Sequence, residues 1–356
     1  MAKKIFKLLV INPGSTSTKL SLFTNGKESW RKDLEVPKEE LKLDLKAQHP
    51  FRLKAVENAL TEAGINLNEL SAIVSRGAPL RPLKGGTYLI NDRMLDDLSN
   101  LRLQAPHISY VGGVIARELA DRVKIPALTA DPISVDEFHP LARYSGHPEI
   151  PRKSLWHALN CRRIARKTGD KLGRDWKSLN LIVAHLGGGI SVVAFLKGRV
   201  VDSGNASSEG PFSPERTGSL PVVELLEWLK AKNLSYDEGI KVLTRQGGLT
   251  AYSGSSSARE IETRIRQGDK KAKEVYLAMA YQIAKQIASL SIILNGKIDR
   301  IVLTGGLAKS KMLTARIKSQ VKFLAPVLIL PGEEEMIALA EAALRVLQKK
   351  EKPLTY

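Results

Sequence analysis

The sequence has 356 residues, 43% of them hydrophobic and 26% charged, which is a globular balance whose length predicts two domains. It contains no apolar run of about 18 residues, and Leu8–Ile11 is too short for a signal peptide, so no membrane span or export is expected. The formal net charge of +18 fits a solvated basic surface, attraction of anionic substrates or nucleic-acid binding. No nucleic-acid-binding motif is present, which disfavours the last. The single cysteine, Cys161, cannot form an internal disulfide and favours the reducing cytoplasm.

The N-terminal segment predicts a β-hairpin with a glycine-containing turn. Leu8–Ile11 is apolar, and the turn Asn12-Pro13-Gly14-Ser15-Thr16-Ser17 follows it. Lys19–Phe23 then alternates polar and apolar residues, as a half-buried strand does. Asn25-Gly26 predicts a tight turn at the end of that strand.

The same order of features returns at residues 181–203. An apolar strand leads into His185-Leu186-Gly187-Gly188-Gly189, and a second strand ends at the turn Lys197-Gly198. Asn12 aligns with His185 in the two copies. This duplication predicts two halves of similar fold, with a division near residue 150.

The remaining elements alternate between helices and strands, which predicts an α/β fold. Helices are expected where apolar residues recur every three to four positions, and strands where short apolar runs precede turns. In chain order the predicted elements are a helix over 51–63, a strand over 72–75, a helix over 110–122, a strand over 127–130, a helix over 154–167, a helix from Pro221 to near 232, a long helix over 274–294, strands over 300–303 and 326–330, and a helix over 336–348.

A third glycine turn, Thr304-Gly305-Gly306-Leu307, also follows an apolar strand. Glycine lets backbone N–H groups approach phosphate oxygens closely, and the hydroxyls of the first turn add further donors. None of the three turns matches the Walker A or the dinucleotide-binding pattern. Three such turns, two of them related by duplication, predict a nucleotide bound between two like domains.

Longer motifs around these turns resemble butyrate kinases. Val10–Lys19 resembles the opening signature of that family, and the stretches 185–191 and 211–218 resemble its second signature. Similar segments run through most of the chain, at 75–77, 131–132, 152–154, 157–160, 279–285 and 303–308. The resemblance implies a member of the acetokinase family, within the actin, sugar-kinase and Hsp70-like superfamily. It therefore implies two ribonuclease-H-like (actin-like ATPase) domains with an interdomain active-site cleft. The first domain would span residues 1–150 and be completed by the helix 336–348, and the second would span residues 151–335.

The resemblance also implies roles for individual residues. The catalytic residues would be two arginines that hold the carboxylate and the transferring phosphoryl group, Arg76 and Arg216. His157 would face that phosphoryl group, and Asp131 would lie near the attacking carboxylate and the metal. The nucleotide would lie against Asn12, Ser15, Ser17, Lys19, His185, Gly187, Gly188, Gly189, Gly305 and Gly306. The acid substrate would contact Ala78 and His107, and magnesium would be held by Glu335 and Asn12, with Glu333 and Glu334 as neighbouring alternatives to Glu335.

Some of these residues also have simpler interpretations, and some positions differ from the family pattern. His157 is equally an ordinary helix histidine, and Asp131-Pro132 is equally a turn. Ser257 stands where the family usually has an aspartate. His107 follows Gln104-Ala105-Pro106 where relatives carry Gly-Glu, which weakens its assignment.

The implied reaction is ATP + butanoate = ADP + butanoyl phosphate, with ATP/ADP and Mg²⁺ as cofactors. A carboxylic acid with a pKa of roughly 4 to 5 is ionised at neutral pH, so charge neutralisation by arginine is needed rather than a general base. Ala78 stands where acetate kinases usually hold valine, which favours a longer acid. The expected protein is a cytoplasmic homo-oligomer that binds a short-chain carboxylate or acyl phosphate and neither nucleic acid nor membrane. The alternatives are a kinase for acetate, propionate or isobutyrate, a non-catalytic nucleotide-dependent switch, or a basic nucleic-acid-binding protein.

Overall fold

The computed structural model describes residues 4–356, which fall into two compact units. Unit 1 runs to Asp136 and includes Glu334–Tyr356, and unit 2 is Glu137–Glu333. The C-terminal helix therefore lies in unit 1. The boundary comes earlier than the sequence division near residue 150, because the segment after Asp136 bonds to unit 2. The His139 amide, for example, donates to the Val201 carbonyl at 2.8 Å.

Within the described residues, eleven strands form one sheet in each unit. The order is β3-β2-β1-β4-β6-β5 in unit 1 and β9-β8-β7-β10-β11 in unit 2. The strands are β1 (Lys7–Pro13), β2 (Ser17–Thr24), β3 (Lys27–Glu35), β4 (Ala72–Arg76), β5 (Thr87–Leu89), β6 (Ala127–Ala130), β7 (Asn180–Leu186), β8 (Ile190–Leu196), β9 (Arg199–Ser203), β10 (Arg300–Gly305) and β11 (Val327–Pro331).

The two sheets repeat one plan. β1 pairs antiparallel with β2 and parallel with β4, and β7 pairs in the same way with β8 and β10. The turn after β2 and the turn after β8 each have left-handed backbone at two successive residues. The φ values are 49° and 85° at Asn25 and Gly26, and 48° and 80° at Lys197 and Gly198. This conformation matches the twist of the flanking strands. The predicted α/β duplication is confirmed.

Helices flank both sheets. They are α1 (Gln48–Glu62), α2 (Asp92–Ser99), α3 (Tyr110–Arg122), α4 (Ala158–Leu172), α5 (Val222–Ala231), α6 (Tyr236–Arg245), α7 (Gly248–Ser253), α8 (Ala258–Arg266), α9 (Lys270–Ser291), α10 (Lys311–Val321) and α11 (Glu335–Leu347). The predicted helices are present, whereas α2, α6, α7, α8 and α10 were not predicted. Four of these begin at polar caps that the sequence does contain, which are Asn91 for α2, a capping box from Ser235 to Glu238 for α6, Ser257 for α8 and Ser310 for α10.

Helix α4 begins later than predicted. The predicted helix covered residues 154–167, but α4 starts at Ala158 and ends at Leu172, and its C-cap residue Gly173 has a φ of 61°. The segment before it forms a local turn instead, in which the Trp156 indole N–H donates to Ser154 Oγ at 3.1 Å and the Ala158 amide donates to the Trp156 carbonyl at 2.7 Å. His157 is therefore the N-cap residue of α4 and not a residue within the helix.

Helix α9 is the central helix of unit 2. It begins earlier than predicted because the Asp269 side chain accepts a hydrogen bond from the Ala272 amide. Among the described helices, it alone, extended to Leu294, is long and apolar enough to cross a membrane by length and composition. Met279, Ile283 and Ile287 pack in the hydrophobic core of unit 2. A core helix passes the same test, so its composition is weak evidence for a membrane span.

Candidate active site

In unit 1, three predicted site residues meet at one edge of the sheet. Asn12 lies in β1, Arg76 ends β4, and Asp131 directly follows β6. These strands are parallel neighbours, with Ile11 beside Ser75 and Arg76 beside Ala130. The carboxyl ends of parallel strands lie on the same side of a sheet, and this edge is where open α/β sheets bind ligands.

Glu335 joins this group from the far end of the chain. It is the first residue of α11, and its Oε2 accepts hydrogen bonds from Asn12 Nδ2 at 2.9 Å and Arg76 Nη1 at 3.0 Å. The side chains of Arg76 and Glu335 are 23% and 24% exposed, so the ion pair is partly screened from water. The carboxylate fixes the guanidinium at the strand end. Of the three neighbouring glutamates, Glu335 is thus the one bonded to Asn12 and Arg76.

The backbone at Asp131 is strained. Its φ is 40°, its side chain is buried, and its amide donates to the Gly86 carbonyl at 2.9 Å. A left-handed backbone is unusual for a residue other than glycine and often occurs at functional sites. Asp131-Pro132 packs directly on the strand end of Arg76, because a Cβ added at Gly77 would lie 2.5 Å from Pro132 Cβ.

Sequence reasoning missed Arg52, which supports the first glycine turn from beneath. Its Nη1 donates to the Gly14 carbonyl at 3.1 Å and to Thr18 Oγ1 at 2.9 Å, and its Nη2 donates to the Ser15 carbonyl at 3.2 Å. Arg52 is 1% exposed, and burial lowers the pKa of its guanidinium. No carboxylate in the described chain lies within salt-bridge distance of it. The guanidinium donates hydrogen bonds to carbonyls of the loop. On the same loop, the Ser15 side chain is exposed, and Ser17 and Lys19 are half-buried.

A signal for Arg52 was present in the sequence. It stands one turn before Val56 and two turns before Ala59, on the buried stripe of α1. An arginine on an apolar stripe is rarely buried without hydrogen-bond acceptors, which here are supplied by the loop.

The two residues predicted to contact the acid also lie in unit 1. Ala78 is buried in the hydrophobic core of this unit. His107 Nδ1 accepts a hydrogen bond from the Ser109 amide at 3.1 Å and lies 2.8 Å from Ser109 Oγ. Because Nδ1 accepts, the neutral imidazole carries its proton on Nε2.

In unit 2, the equivalent sheet edge carries two stacked histidines. His185 lies near the end of β7, and its ring stacks on that of His157 at a centroid distance of 4.0 Å and an angle of 14°. Asn160 Nδ2 donates to His185 Nδ1 at 2.8 Å, which places the proton of the neutral ring on Nε2. His185 Nε2 lies 3.5 Å from Glu333 Oε1. His157 Nδ1 lies 2.8 Å from Ser191 Oγ.

The second glycine turn forms the seat of Arg216. A Cβ added at Gly189 would lie 2.6 Å from Arg216 Nη1 and 2.7 Å from its Cζ. Ser213 Oγ donates to the Gly188 carbonyl at 2.5 Å and accepts from the Arg216 amide at 3.1 Å. The guanidinium also donates to the Ala206 carbonyl at 2.7 Å. Burial lowers the pKa of Arg216, yet a shifted arginine remains a cation at neutral pH.

The third glycine turn lies beside the second. Gly305 ends β10 with φ of 90°, and a Cβ there would lie 2.3 Å from the Leu186 carbonyl oxygen, so only glycine fits. The Gly306 amide donates to Glu333 Oε1 at 3.4 Å. A Cβ added at Gly187 would lie 2.7 Å from the same oxygen. Unit 2 therefore brings together His157, His185, the Gly187–Gly189 turn, Gly305-Gly306 and Arg216. Glu333, which the sequence offered only as an alternative magnesium ligand, lies between the two turns.

The acetokinase family model matches residues 149–329, which is half of the chain. The chain belongs to the acetokinase family. Its fold is similar to that of an acetate kinase from Porphyromonas gingivalis, with a TM-score of 0.78 and 18% identity over 95% of this chain and 99% of that one. A propionate kinase from Francisella tularensis subsp. tularensis gives 0.77 and 19% over 94% and 98%, and an acetate kinase from Entamoeba histolytica gives 0.75 and 18% over 98% and 99%. The predicted actin-like two-domain α/β fold is confirmed by these likenesses.

The residues of this acetokinase family member fit a magnesium ion held mainly by phosphate and water. Asn12 Oδ1 is buried and has no hydrogen-bond partner among the described residues, so it can supply one oxygen ligand. The Glu335 carboxylate next to it is a second. No cluster of three or more His, Cys, Asp or Glu suited to a metal occurs in residues 4–356. Magnesium often takes only one or two protein ligands when it binds with phosphates.

Proposed function

We propose that this protein is a carboxylate kinase that converts ATP and butanoate to ADP and butanoyl phosphate. The observation that carries the proposal is the half-buried guanidinium of Arg216, which packs on Gly189 in a turn of three glycines. A fixed cation beside a turn that can present backbone N–H groups suits a phosphoryl group. The motifs that resemble butyrate kinases supply the choice of butanoate.

The chemistry requires that two anions approach each other. A carboxylate oxygen attacks the γ-phosphorus of ATP, the bond from phosphorus to the β,γ-bridging oxygen breaks, and ADP leaves with that electron pair. The attacking carboxylate is already ionised, so no proton has to be removed. Positioned cations and hydrogen-bond donors therefore lower the barrier.

Each arginine has a separate task in this proposal. Arg76 binds the carboxylate, and its ion pair with Glu335 holds it at the end of β4. Arg216 neutralises charge on the transferring phosphoryl group. A guanidinium suits both tasks because its planar set of donors matches two oxygens at once.

The histidines supply hydrogen-bond donors. Ser191 Oγ accepts from the His157 amide at 3.3 Å, so its hydroxyl proton can point to His157 Nδ1. That bond leaves the His157 proton on Nε2, where it can donate to a phosphoryl oxygen. Asn160 fixes the tautomer of His185 in the same sense.

The nucleotide is assigned to the glycine turns. Gly187–Gly189 and Gly305-Gly306 bind the phosphates and the adenosine in unit 2, and Ser15, Ser17 and Lys19 contribute donors from the loop that Arg52 supports. When bound, magnesium neutralises phosphate charge, with Asn12 and Glu335 as its protein ligands. The short-chain acid approaches Asp131, His107 and Ala78. The proposed setting is the cytoplasm.

The test is an acid panel with chemical trapping. The purified protein is incubated with MgATP, hydroxylamine and acetate, propionate, butanoate or isobutanoate, and the acyl hydroxamate and ADP are measured. We expect the highest kcat/KM with butanoate. A different preferred acid would keep the carboxylate kinase and reject butanoate, and a lack of hydroxamate with every acid would reject the kinase.

A variant pair tests the role of Arg216. Arg216→Ala should lower kcat about a hundredfold or more, because a charge contact made in the transition state is lost. Arg174→Ala is the control, since Arg174 forms an exposed ion pair with Asp299 in the same unit. Near-normal kcat in a folded Arg216→Ala variant would contradict the assignment.

A further inference from the structure

The segment 351–356, which follows α11, lies along the edge strand β5 of unit 1. The Leu354 amide donates to the Thr87 carbonyl at 2.7 Å, and the Leu89 amide donates to the Leu354 carbonyl at 3.2 Å. On its other side, β5 pairs with β6. An edge strand is often covered by another part of the chain. The segment 351–356 covers β5 in this way, and its side chains reach further into the unit.

The side chain of Leu354 packs on Gly86. A Cβ added at Gly86 would lie 2.7 Å from Leu354 Cδ1. The carbonyl of Gly86 accepts the hydrogen bond from the Asp131 amide at 2.9 Å, and the next residue, Thr87, pairs with Ala130. Leu354 therefore contacts the residue whose carbonyl holds the backbone of Asp131.

Tyr356 anchors the same segment to a second part of the unit. Its side chain is buried in the hydrophobic core that also contains Ala78 and Leu80. The guanidinium of Arg81 lies over its ring, 4.0 Å from the centroid, and its hydroxyl donates to Asp97 Oδ2 at 2.7 Å. Burial, and then the bond to the Asp97 carboxylate, raise the pKa of the phenol, so it stays a neutral donor at physiological pH.

We infer that Leu354 and Tyr356 are positioning residues for the acid substrate. From outside the site they hold the two segments of unit 1 to which the proposed function, on which this inference rests, assigns that substrate. One segment is Ala78 with the residues that follow it, and the other is Asp131, held through Gly86. The contacts of Leu354 and Tyr356 described above lie in unit 1, whereas the turns Gly187–Gly189 and Gly305-Gly306 lie in unit 2. Loosening the segment 351–356 should therefore weaken acid binding more than nucleotide binding.

The strained backbone at Asp131 distinguishes positioning from simple cover of an edge. A segment that only covered β5 would stabilise the fold and leave substrate binding unchanged. Asp131, however, has a φ of 40°, and a residue other than glycine keeps such a conformation only while its neighbours hold it there. Without the side chain of Leu354, Gly86 gains room to move, and the hydrogen bond from the Asp131 amide moves with it.

The first experiment measures KM for the preferred acid and for MgATP in variants of the full chain, with the hydroxamate assay. Leu354→Ala and Tyr356→Ala should raise KM for the acid about tenfold and KM for MgATP less than about twofold, because small displacements at a site are costly and only the acid site is displaced. Tyr356→Phe should keep KM for the acid near the wild-type value, because the ring and its contact with Arg81 remain. Leu60→Ala is the control, since Leu60 is buried in the same core on α1 and its loss should lower stability without changing either KM.

The second experiment measures hydrogen exchange at the Asp131 amide and does not use activity. Exchange should be about tenfold faster in Leu354→Ala than in Leu60→Ala, because the bond to the Gly86 carbonyl opens more often. An unchanged KM for the acid in Leu354→Ala and Tyr356→Ala, equal changes in both KM values, or exchange no faster than in the control would overturn the inference. If the wild type forms no hydroxamate with any acid, the proposed function fails, and hydrogen exchange alone decides whether the segment 351–356 positions Asp131.

Discussion

Gly189 is predicted to be required because the guanidinium of Arg216 occupies the space where a side chain would stand. In Gly189→Ala the new Cβ would lie 2.6 Å from Nη1, 2.7 Å from Cζ and 3.1 Å from Nε of Arg216. An ordinary contact begins near 3.4 Å, so the guanidinium must move by about 0.8 Å at its closest atom. A displacement of about 1 Å in a catalytic group can cost a hundredfold in rate. We therefore expect kcat to fall by about 30- to 100-fold.

The assay is a double-mutant cycle on kcat with Gly189→Ala, Arg216→Ala and the double variant. If the alanine at 189 acts by displacing the guanidinium, it should cost little once that guanidinium is gone, and the two effects should be strongly non-additive. Gly188→Ala is the matched substitution in the same turn, because its Cβ would lie no closer than 3.4 Å, to Glu215 Oε2. Neither glycine has a positive φ, so a difference between Gly188→Ala and Gly189→Ala would not come from backbone strain.

Two outcomes would refute this reasoning. Additive losses in the cycle would mean that Gly189→Ala acts on the turn itself and not through Arg216. Equal losses of kcat in Gly188→Ala and Gly189→Ala would mean that any side chain in the turn blocks the nucleotide.

Three further predictions concern unit 1. Arg52→Leu should lower the free energy of unfolding, measured by urea denaturation, by about 2 to 4 kcal/mol, because it leaves the Gly14 and Ser15 carbonyls without their donor. A loss under about 1 kcal/mol would contradict the role of Arg52 in holding the first glycine turn. Burial raises the pKa of Tyr110 from 10.0 to about 12, so the folded state favours the neutral phenol, and stability present below pH 10 is lost as pH rises through 12. Tyr110→Phe should lessen that loss by about 3 kcal/mol, and an unchanged alkaline profile would contradict it. Ala78→Val should lower the free energy of unfolding by about 1 to 3 kcal/mol, because the larger side chain overpacks the core. It should also shift the ratio of kcat/KM for butanoate to that for acetate toward acetate by roughly tenfold. An unchanged ranking of the acids would mean that Ala78 does not set the length of the acid.

The fold was predictable where its signals are local. Asn25-Gly26 and Lys197-Gly198 mark the turns at the ends of the duplicated β2 and β8 strands, and the apolar runs before the glycine turns mark strands. The start of α4 was not predictable from periodicity. The apolar pattern continues through Trp156, but the buried bond from that indole to Ser154 holds the segment in a turn.

Contacts between distant parts of the chain had no local signal. Glu335 reaches Asn12 and Arg76 only because α11 returns to unit 1, and nothing near residue 335 indicates which of three successive glutamates makes that contact. The support of the first turn by Arg52 depends in the same way on how α1 packs. The motifs nominated Asn12, Arg76 and Glu335, but they indicated neither the hydrogen bonds that join these three residues nor the role of Arg52.

The duplication explains how one fold assembles unlike chemistry in its two units. The strand registers, Ile11 beside Ser75 and Ala184 beside Leu303, align Arg76-Gly77 at the end of β4 with Thr304-Gly305 at the end of β10. Glycine occupies both second positions, because a Cβ there would lie within 3 Å of Pro132 in unit 1 and of the Leu186 backbone in unit 2.

The residue before each of these glycines differs between the two units. Unit 1 places the cation of Arg76 there, and unit 2 places the neutral Thr304, whose hydroxyl lies 3.4 Å from the Gly332 carbonyl. The cation of unit 2 enters instead from a separate loop, as Arg216 against Gly189. The same strand end thus presents a side-chain cation in one unit and a neutral, buried threonine in the other, and the proposed function uses this difference by assigning the carboxylate to unit 1 and the nucleotide to unit 2.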